Sequence, residues 1–324
     1  MPLRVICVCI LLLGHTLAAQ GPSAEGFIET APGVRVFYQR FGAGKPRKLI
    51  VPGRLFVVDQ YKSLASDFDI VMYDMRNRGK SSYVEDGATL TLENDVADLE
   101  AVRRHFGFEK TSVSGYSYLG KVVILYAMEH PQRVERIVQV GAVPMKFGTE
   151  YAKEHVASFP PELEAQRAEL AAARKRNEHV EKPLEFCEKQ WELSRLMLVG
   201  NPANADKLGA SKCDLENERA ARLDRHMQHA FVGSAMNHSV PWEQVVAKVK
   251  HPVLTVHGTL DRNAPYGAGR EWAERLPNAR LLTVKGAAHQ VFAEYPEVFF
   301  PAVRTFLKGG WPKEAESLSS KPKP

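Results

Sequence analysis

The sequence predicts an α/β fold, a mostly parallel, doubly wound sheet interrupted by an inserted helical segment. Three observations carry this. Short apolar runs bounded by turn residues, at 48–51, 68–73 and 252–258, have the length and composition of strands buried on both faces. Amphipathic helical patterns alternate with them, as at 92–105, where Leu92, Val96, Leu99 and Val102 fall on one face and Phe106 continues it. From 146 to 245 the chain turns to Ala, Glu, Arg and Lys with few β-branched residues, and the strand pattern then resumes.

The elements follow in order. Residues 26–30 and 34–40 alternate like half-buried strands, and Ala31-Pro32-Gly33 reads as the turn between them. Residues 137–143 and 279–284 are further strand-like runs. The expected organisation is a signal peptide over 1–19, a core in two parts over 25–145 and 246–309, a helical cap over 146–245, and a disordered tail over 310–324. The tail is polar and rich in Pro and Lys, which argues against a packed element.

With 324 residues the chain can bury a deep core. Its formal charge of +5 is spread along the chain, with no basic stripe interleaved with aromatics, so nucleic acid is not an expected partner. The run Arg174-Lys175-Arg176 reads as a solvated helix face. At the N-terminus Arg4 precedes the apolar stretch 5–13, then Thr16-Leu17-Ala18-Ala19-Gln20 offers small residues for cleavage. The stretch is shorter than the roughly 20 apolar residues a membrane span needs. The expectation is a secreted or periplasmic protein without stable membrane association after signal removal, an uncleaved anchor being the alternative. Cys7 and Cys9 would leave with the signal. Cys187 and Cys213 remain, both in the cap, either as a disulfide or as two free thiols.

The chemistry concentrates at Ser114-Gly115-Tyr116-Ser117-Tyr118-Leu119-Gly120. A β-branched strand leads into Gly-x-Ser and then into a helical run, the layout of a nucleophile elbow, in which a sharp turn exposes the serine hydroxyl. The helix start favours developing negative charge. Downstream, Asp261 falls in the loop after the strand at 252–258, and His289 in the loop after the strand at 279–284. Serine is a weak nucleophile at its free pKa, histidine can take its proton, and a carboxylate fixes the histidine tautomer. The order Ser, Asp, His places all three after parallel strands.

These residues resemble the α/β-hydrolase superfamily, and within it the proline iminopeptidase-related branch. The likeness covers about residues 26–145 and 246–309 and rests on ordered segments. They are the segments at 73–81, 93–100 and 126–134, then His257-Gly258-Thr259-Leu260-Asp261 and Gly286-Ala287-Ala288-His289. It implies an α/β-hydrolase fold with a helical cap, Ser117 as nucleophile, His289 as base and Asp261 as its orienting acid. It also implies an oxyanion hole from the backbone N–H groups of Arg54 and Tyr118. Two positions depart from the family pattern. Leu119 stands where a small residue is usual, which requires a displaced helix or a small neighbour. Pro52-Gly53 stands where His-Gly is usual, and Gly53 still permits the tight turn. By the same likeness, cap carboxylates Glu216 or Glu218 could hold a substrate's free amino group, their alternative being a solvated helix start.

Rival sites are weaker. His226, His229 and His238 lack a carboxylate or Cys spaced to complete a metal site, so no metal is expected. His257 is assigned to packing or loop bonding, Ser112 and Ser114 to the strand, and Asp74 with Arg76 to an ion pair beside the elbow. The segment Gly42-Ala43-Gly44-Lys45 lacks the P-loop spacing and reads as a turn. The expected activity is cleavage of a small ester, or of an amide with a free N-terminus, through an acyl-enzyme and with no cofactor. Haloperoxidase or perhydrolase chemistry would be a side reaction of the same trio. The partner is a small-molecule or short peptide substrate. The alternative is a non-catalytic ligand-binding protein of the same fold.

Overall fold

The computed structural model of the chain describes residues 21–211, 213 and 226–318. The expected signal peptide and the cap residues Glu216 and Glu218 lie outside the described residues. Eight strands form one sheet: β1 Ala24–Ala31, β2 Val34–Phe41, β3 Arg47–Pro52, β4 Phe68–Tyr73, β5 Thr111–Tyr116, β6 Val134–Val140, β7 Val253–Gly258 and β8 Ala279–Val284. Their order is β1-β2-β4-β3-β5-β6-β7-β8. The pairs β1/β2 and β2/β4 are antiparallel, and all others are parallel.

Every residue of β4, β5 and β7 is buried, as two-sided packing requires. One apolar cluster joins one face to the helices Leu92–His105 and Leu119–Glu129, and a second joins the other face to the helix Pro296–Leu307. The helix Leu92–His105 begins where Thr91 Oγ1 accepts from Asn94 N, at 3.3 Å, and ends on Arg103, Arg104 and His105, which suit its negative end. The helix Leu119–Glu129 is buried on nearly every face, because the sheet lies on one side and the helix Leu92–His105 and the inserted segment cover the others.

Between β6 and β7 the chain is helical, with Pro161–Lys175, Glu178–Glu181 and Pro183–Leu198 packed together. A π-helical stretch, Met227–Ala235, follows, then the helix Trp242–Lys248. Cys187 and Cys213 are disulfide-bonded, with Cα atoms 5.9 Å apart. No helix among the described residues is long and apolar enough to cross a membrane.

Two expectations need correction. The tail is not free from residue 310 onward. Leu281 and Glu316 exchange backbone hydrogen bonds of 2.8 Å, Ala315 is buried, and Trp311 packs at a tilt against Phe306 with ring centroids 5.0 Å apart. The reason is that β8 is an edge strand with backbone groups to satisfy, and Trp311 brings apolar area to cover. Nor do Asp74 and Arg76 pair with each other. Asp74 accepts from Arg54 Nη2 at 2.9 Å, while Arg76 grips Asp98 through two bonds of 2.7 Å. The chain leaves β4 at Tyr73 and enters a turn at Arg76, so each of the two side chains finds a partner on a different element.

Candidate active site

Strand β5 delivers the chain to Ser117, which adopts φ 60°, a left-handed conformation that a non-glycine residue rarely holds. Ser117 N donates to Val140 O at 2.9 Å, which ties the turn to β6. Such a residue costs about 1–3 kcal/mol and persists only where its surroundings enforce it. Here they do: the helix Leu119–Glu129 starts two residues later and lies so close to the loop after β6 that a β-carbon on Gly120 would sit 2.7 Å from Ala142 Cβ. Gly120 therefore supplies the close helix approach, and the side chain of Leu119 is free to point elsewhere.

Asp261 and His289 meet across two loops. His289 Nδ1 donates to Asp261 Oδ2 at 2.7 Å. Asp261 Oδ1 accepts from the N–H groups of Asn263 and Ala264, each at 2.9 Å, so its carboxylate plane is fixed. His257 Nε2 donates to Ala264 O at 2.9 Å and lies 3.3 Å from Asp261 Oδ2. Burial alone would raise the Asp261 carboxyl. The charge of His289 and hydrogen bonds from His257 and His289 outweigh it, holding Asp261 well below the ordinary carboxylate range. Gly141 makes room for the pair: a β-carbon there would lie 2.9 Å from His289 Nδ1 and 3.2 Å from Asp261 Oδ2.

With Nδ1 committed to Asp261, the imidazole has Nε2 left for the cavity. Ser117, Tyr118 and His289 line the same cavity, of about 350 Å³, together with Gly53, Tyr116 and Trp191. Ser117 and His289 make no direct hydrogen bond with one another. In unliganded enzymes this bond is often long and tightens around the substrate.

The proposed oxyanion loop is formed by Gly53, at φ 80°, just before the helix Arg54–Tyr61. Arg54 and Tyr118 each stand at a helix start, where an N–H has no intrahelical acceptor. Tyr118, Gly53 and Leu55 line the cavity, whereas the Arg54 side chain turns away to Asp74 and Gln39. The walls are largely apolar, from Leu55, Phe56, Met75, Leu119, Val143 and Phe231 among others. The disulfide of Cys187 and Cys213 also borders the cavity.

Three features escaped sequence reasoning. His226 Nε2 accepts from Tyr118 Oη at 3.0 Å and Nδ1 donates to Arg76 O at 3.0 Å. Burial and the charge of Arg78 push His226 down to about 3, so it is neutral and fits these two roles. Lys121 is fully buried in the first turn of the elbow helix. Glu294, five residues after His289, gathers four donors. A lysine in an apolar helix was a visible anomaly, but nothing in the sequence pattern marks Glu294 or connects His226 to Tyr118.

Residues 53–296 match the family described as alpha/beta hydrolase fold, so the chain belongs to the alpha/beta hydrolase family. Among curated relatives, the 2-hydroxymuconate semialdehyde hydrolase of Pseudomonas putida is 24% identical over 78% of this chain and 79% of its own length. A proline iminopeptidase of Lactobacillus helveticus is 21% identical over 74% of this chain and 79% of its own. Among solved structures, an esterase from Exiguobacterium antarcticum superposes with TM-score 0.67 at 15% identity, covering 88% of this chain and all of that one at 100%. Its likeness is one of fold. The relatives support a hydrolase, and the iminopeptidase likeness expected from the motifs is present among them.

Proposed function

We propose that the chain is a serine hydrolase acting on small carboxylic esters through an acyl-enzyme. The observation that carries this is the His289–Asp261 hydrogen bond of 2.7 Å opening onto the cavity that Ser117 lines at positive φ. In the proposed reaction Ser117 Oγ attacks the ester carbonyl carbon while its proton passes to His289 Nε2. The carbonyl oxygen becomes an oxyanion held by the N–H groups of Arg54 and Tyr118. The leaving alkoxide takes the proton from His289 as the C–O bond breaks. Water, deprotonated by His289, then attacks the acyl-enzyme, and the proton returns to Ser117 as the carboxylic acid departs. Asp261 holds the imidazole orientation and stabilises the imidazolium throughout.

An ester is favoured over an N-terminal amide by the cavity wall. Its described acidic residues are Asp59, 3.5 Å from Lys62 Nζ, and Asp74, engaged by Arg54 through two bonds of 2.9 and 3.1 Å. An amide with a free amino group needs an anionic partner at this wall, whereas an uncharged ester suits its largely apolar lining. Turnover of a short p-nitrophenyl ester against a proline arylamide tests the choice: the ester should be cleaved much faster. Preference for the arylamide would transfer the proposal to an aminopeptidase.

A binding protein without turnover is the second reading, favoured by the missing direct bond between Ser117 and His289. Fluorophosphonate labelling that disappears in Ser117→Ala would exclude it. We further infer an exported protein, in the periplasm or outside the cell. The disulfide of Cys187 and Cys213 supports this, because such bonds persist in oxidising compartments.

A further inference from the structure

We propose that Glu294 is a positioning residue that ties the His289 loop to the cap segment 198–204, so that the base takes its working position only when the cap is seated. The inference rests on the serine hydrolase reading above. Glu294 is buried in the short helix Val291–Glu294 that follows the histidine. One carboxylate oxygen, Oε2, accepts from Ala288 N at 2.7 Å and from Gly200 N at 2.9 Å. The other, Oε1, accepts from Asn204 Nδ2 at 3.0 Å and Asn201 N at 3.3 Å. One donor thus comes from the residue immediately before His289, and three come from the cap.

The rest of the junction has the same character. Gln290 N donates to Leu198 O at 3.0 Å, and Lys207 Nζ to Glu294 O at 3.1 Å. The acid loop joins in: Asn263 Nδ2 donates to Met197 O at 3.3 Å and Arg262 Nη1 to Val199 O at 3.4 Å. Cap residues 197–204 therefore touch the residues flanking both Asp261 and His289. Bonds to an ionised acceptor are stronger than neutral ones, and a buried carboxylate that lost its donors would be strongly destabilised. Cap and histidine loop are consequently coupled through one side chain that touches neither substrate nor reacting atoms.

The test uses the full chain with Glu294→Ala, Glu294→Gln and Asn204→Ala, each with its active sites counted by fluorophosphonate titration. Misplacing the base by about 1 Å can cost on the order of 100-fold. The expected result for Glu294→Ala is a loss of that order in per-site kcat on a p-nitrophenyl ester, with KM changed about twofold or less. The acid limb of kcat/KM should also move to lower pH, because a loosened His289–Asp261 bond stabilises the imidazolium less. Glu294→Gln, which keeps one acceptor oxygen, should recover part of both effects, and Asn204→Ala should show a smaller loss. If Glu294→Ala does not fold, the other two variants carry the same readouts. Per-site kcat and acid limb equal to those of the unaltered chain, at whatever melting temperature, would overturn the proposal. Failure of the unaltered, folded chain to label at all would instead sink the hydrolase reading, a distinguishable outcome.

Discussion

Leu119 Cδ1 lies 2.7 Å from the place a β-carbon on Gly53 would occupy. The bulky residue at the elbow thus fits because its neighbour is a glycine, and the oxyanion loop and elbow fill one another's space. Gly53 also sits at φ 80°, which a side chain resists. Gly53→Ala should therefore displace the Arg54 N–H and lower kcat by about 100-fold or more, the cost of losing one oxyanion donor. Leu119→Ala in the same chain should restore part of the loss, since it relieves the clash but not the backbone strain. A double-mutant cycle on ester turnover checks this; strict additivity would deny the contact.

Asp261 bears on the response to acid. Its carboxyl is held below the ordinary range, because the His289 charge and hydrogen bonds from both histidines outweigh the effect of burial. A depressed carboxyl contributes stability that is present above its unfolded pKa, about 3.9, and is lost as pH falls through its folded value. Asp261→Asn should thus lower stability at pH 7 and flatten its decline in acid, and should lower kcat by about 10⁴-fold through the wrong tautomer. Urea titrations from pH 2 to 7 and ester kinetics measure both. An unchanged kcat would contradict the assigned role.

Asp95 should behave in the opposite sense. It is buried with Oδ2 unbonded among the described residues, and burial, then the charge of Asp98, raise its pKa well above normal despite Arg76. The folded state then holds a proton that the unfolded state has lost, so stability falls as pH rises from about 4 toward the folded value. Asp95→Asn keeps the shape and removes this dependence. The variant should be more stable at pH 7, by about 1.4 kcal/mol for every tenfold by which folding weakens this acid. Lower stability at pH 7 would show that the carboxylate has an ionised partner.

Lys121 fastens the inserted segment at both ends. Its ammonium donates to Met145 O at 2.9 Å, near the entry, and to Ala235 O at 3.0 Å and His238 O, near the exit. Burial draws its pKa down to about 8, which leaves it charged at neutral pH. Lys121→Met would leave three carbonyls without this donor and should cost about 3 kcal/mol, since each orphaned buried group costs about 1–3 kcal/mol before water repairs some of them. Chemical denaturation gives the value. A change below about 0.5 kcal/mol, the size of an ordinary surface substitution, would mean the carbonyls rebond freely.

The sheet was legible because two-sided burial writes itself as continuous apolar runs. The runs at 68–73 and 279–284 coincide with β4 and β8, and the helix over 92–105 is capped where its pattern begins. The candidate site was legible in outline because Ser117, Asp261 and His289 each follow such a run and line or adjoin one cavity. What the sequence hid depends on contacts distant along the chain. Asp74 finds Arg54 rather than Arg76, Trp311 packs on Phe306 while Glu316 docks on an edge strand, and Glu294 serves the cap as well as the His289 loop. Local spacing carries no record of which far residue satisfies a buried carboxylate.

The most direct test of the central claim is intact-mass and peptide mapping of the folded chain after treatment with a fluorophosphonate. One adduct is expected, on Ser117, abolished in Ser117→Ala and strongly slowed in His289→Ala. An unlabelled Ser117 in protein shown to be folded, or equal labelling with and without His289, would contradict it.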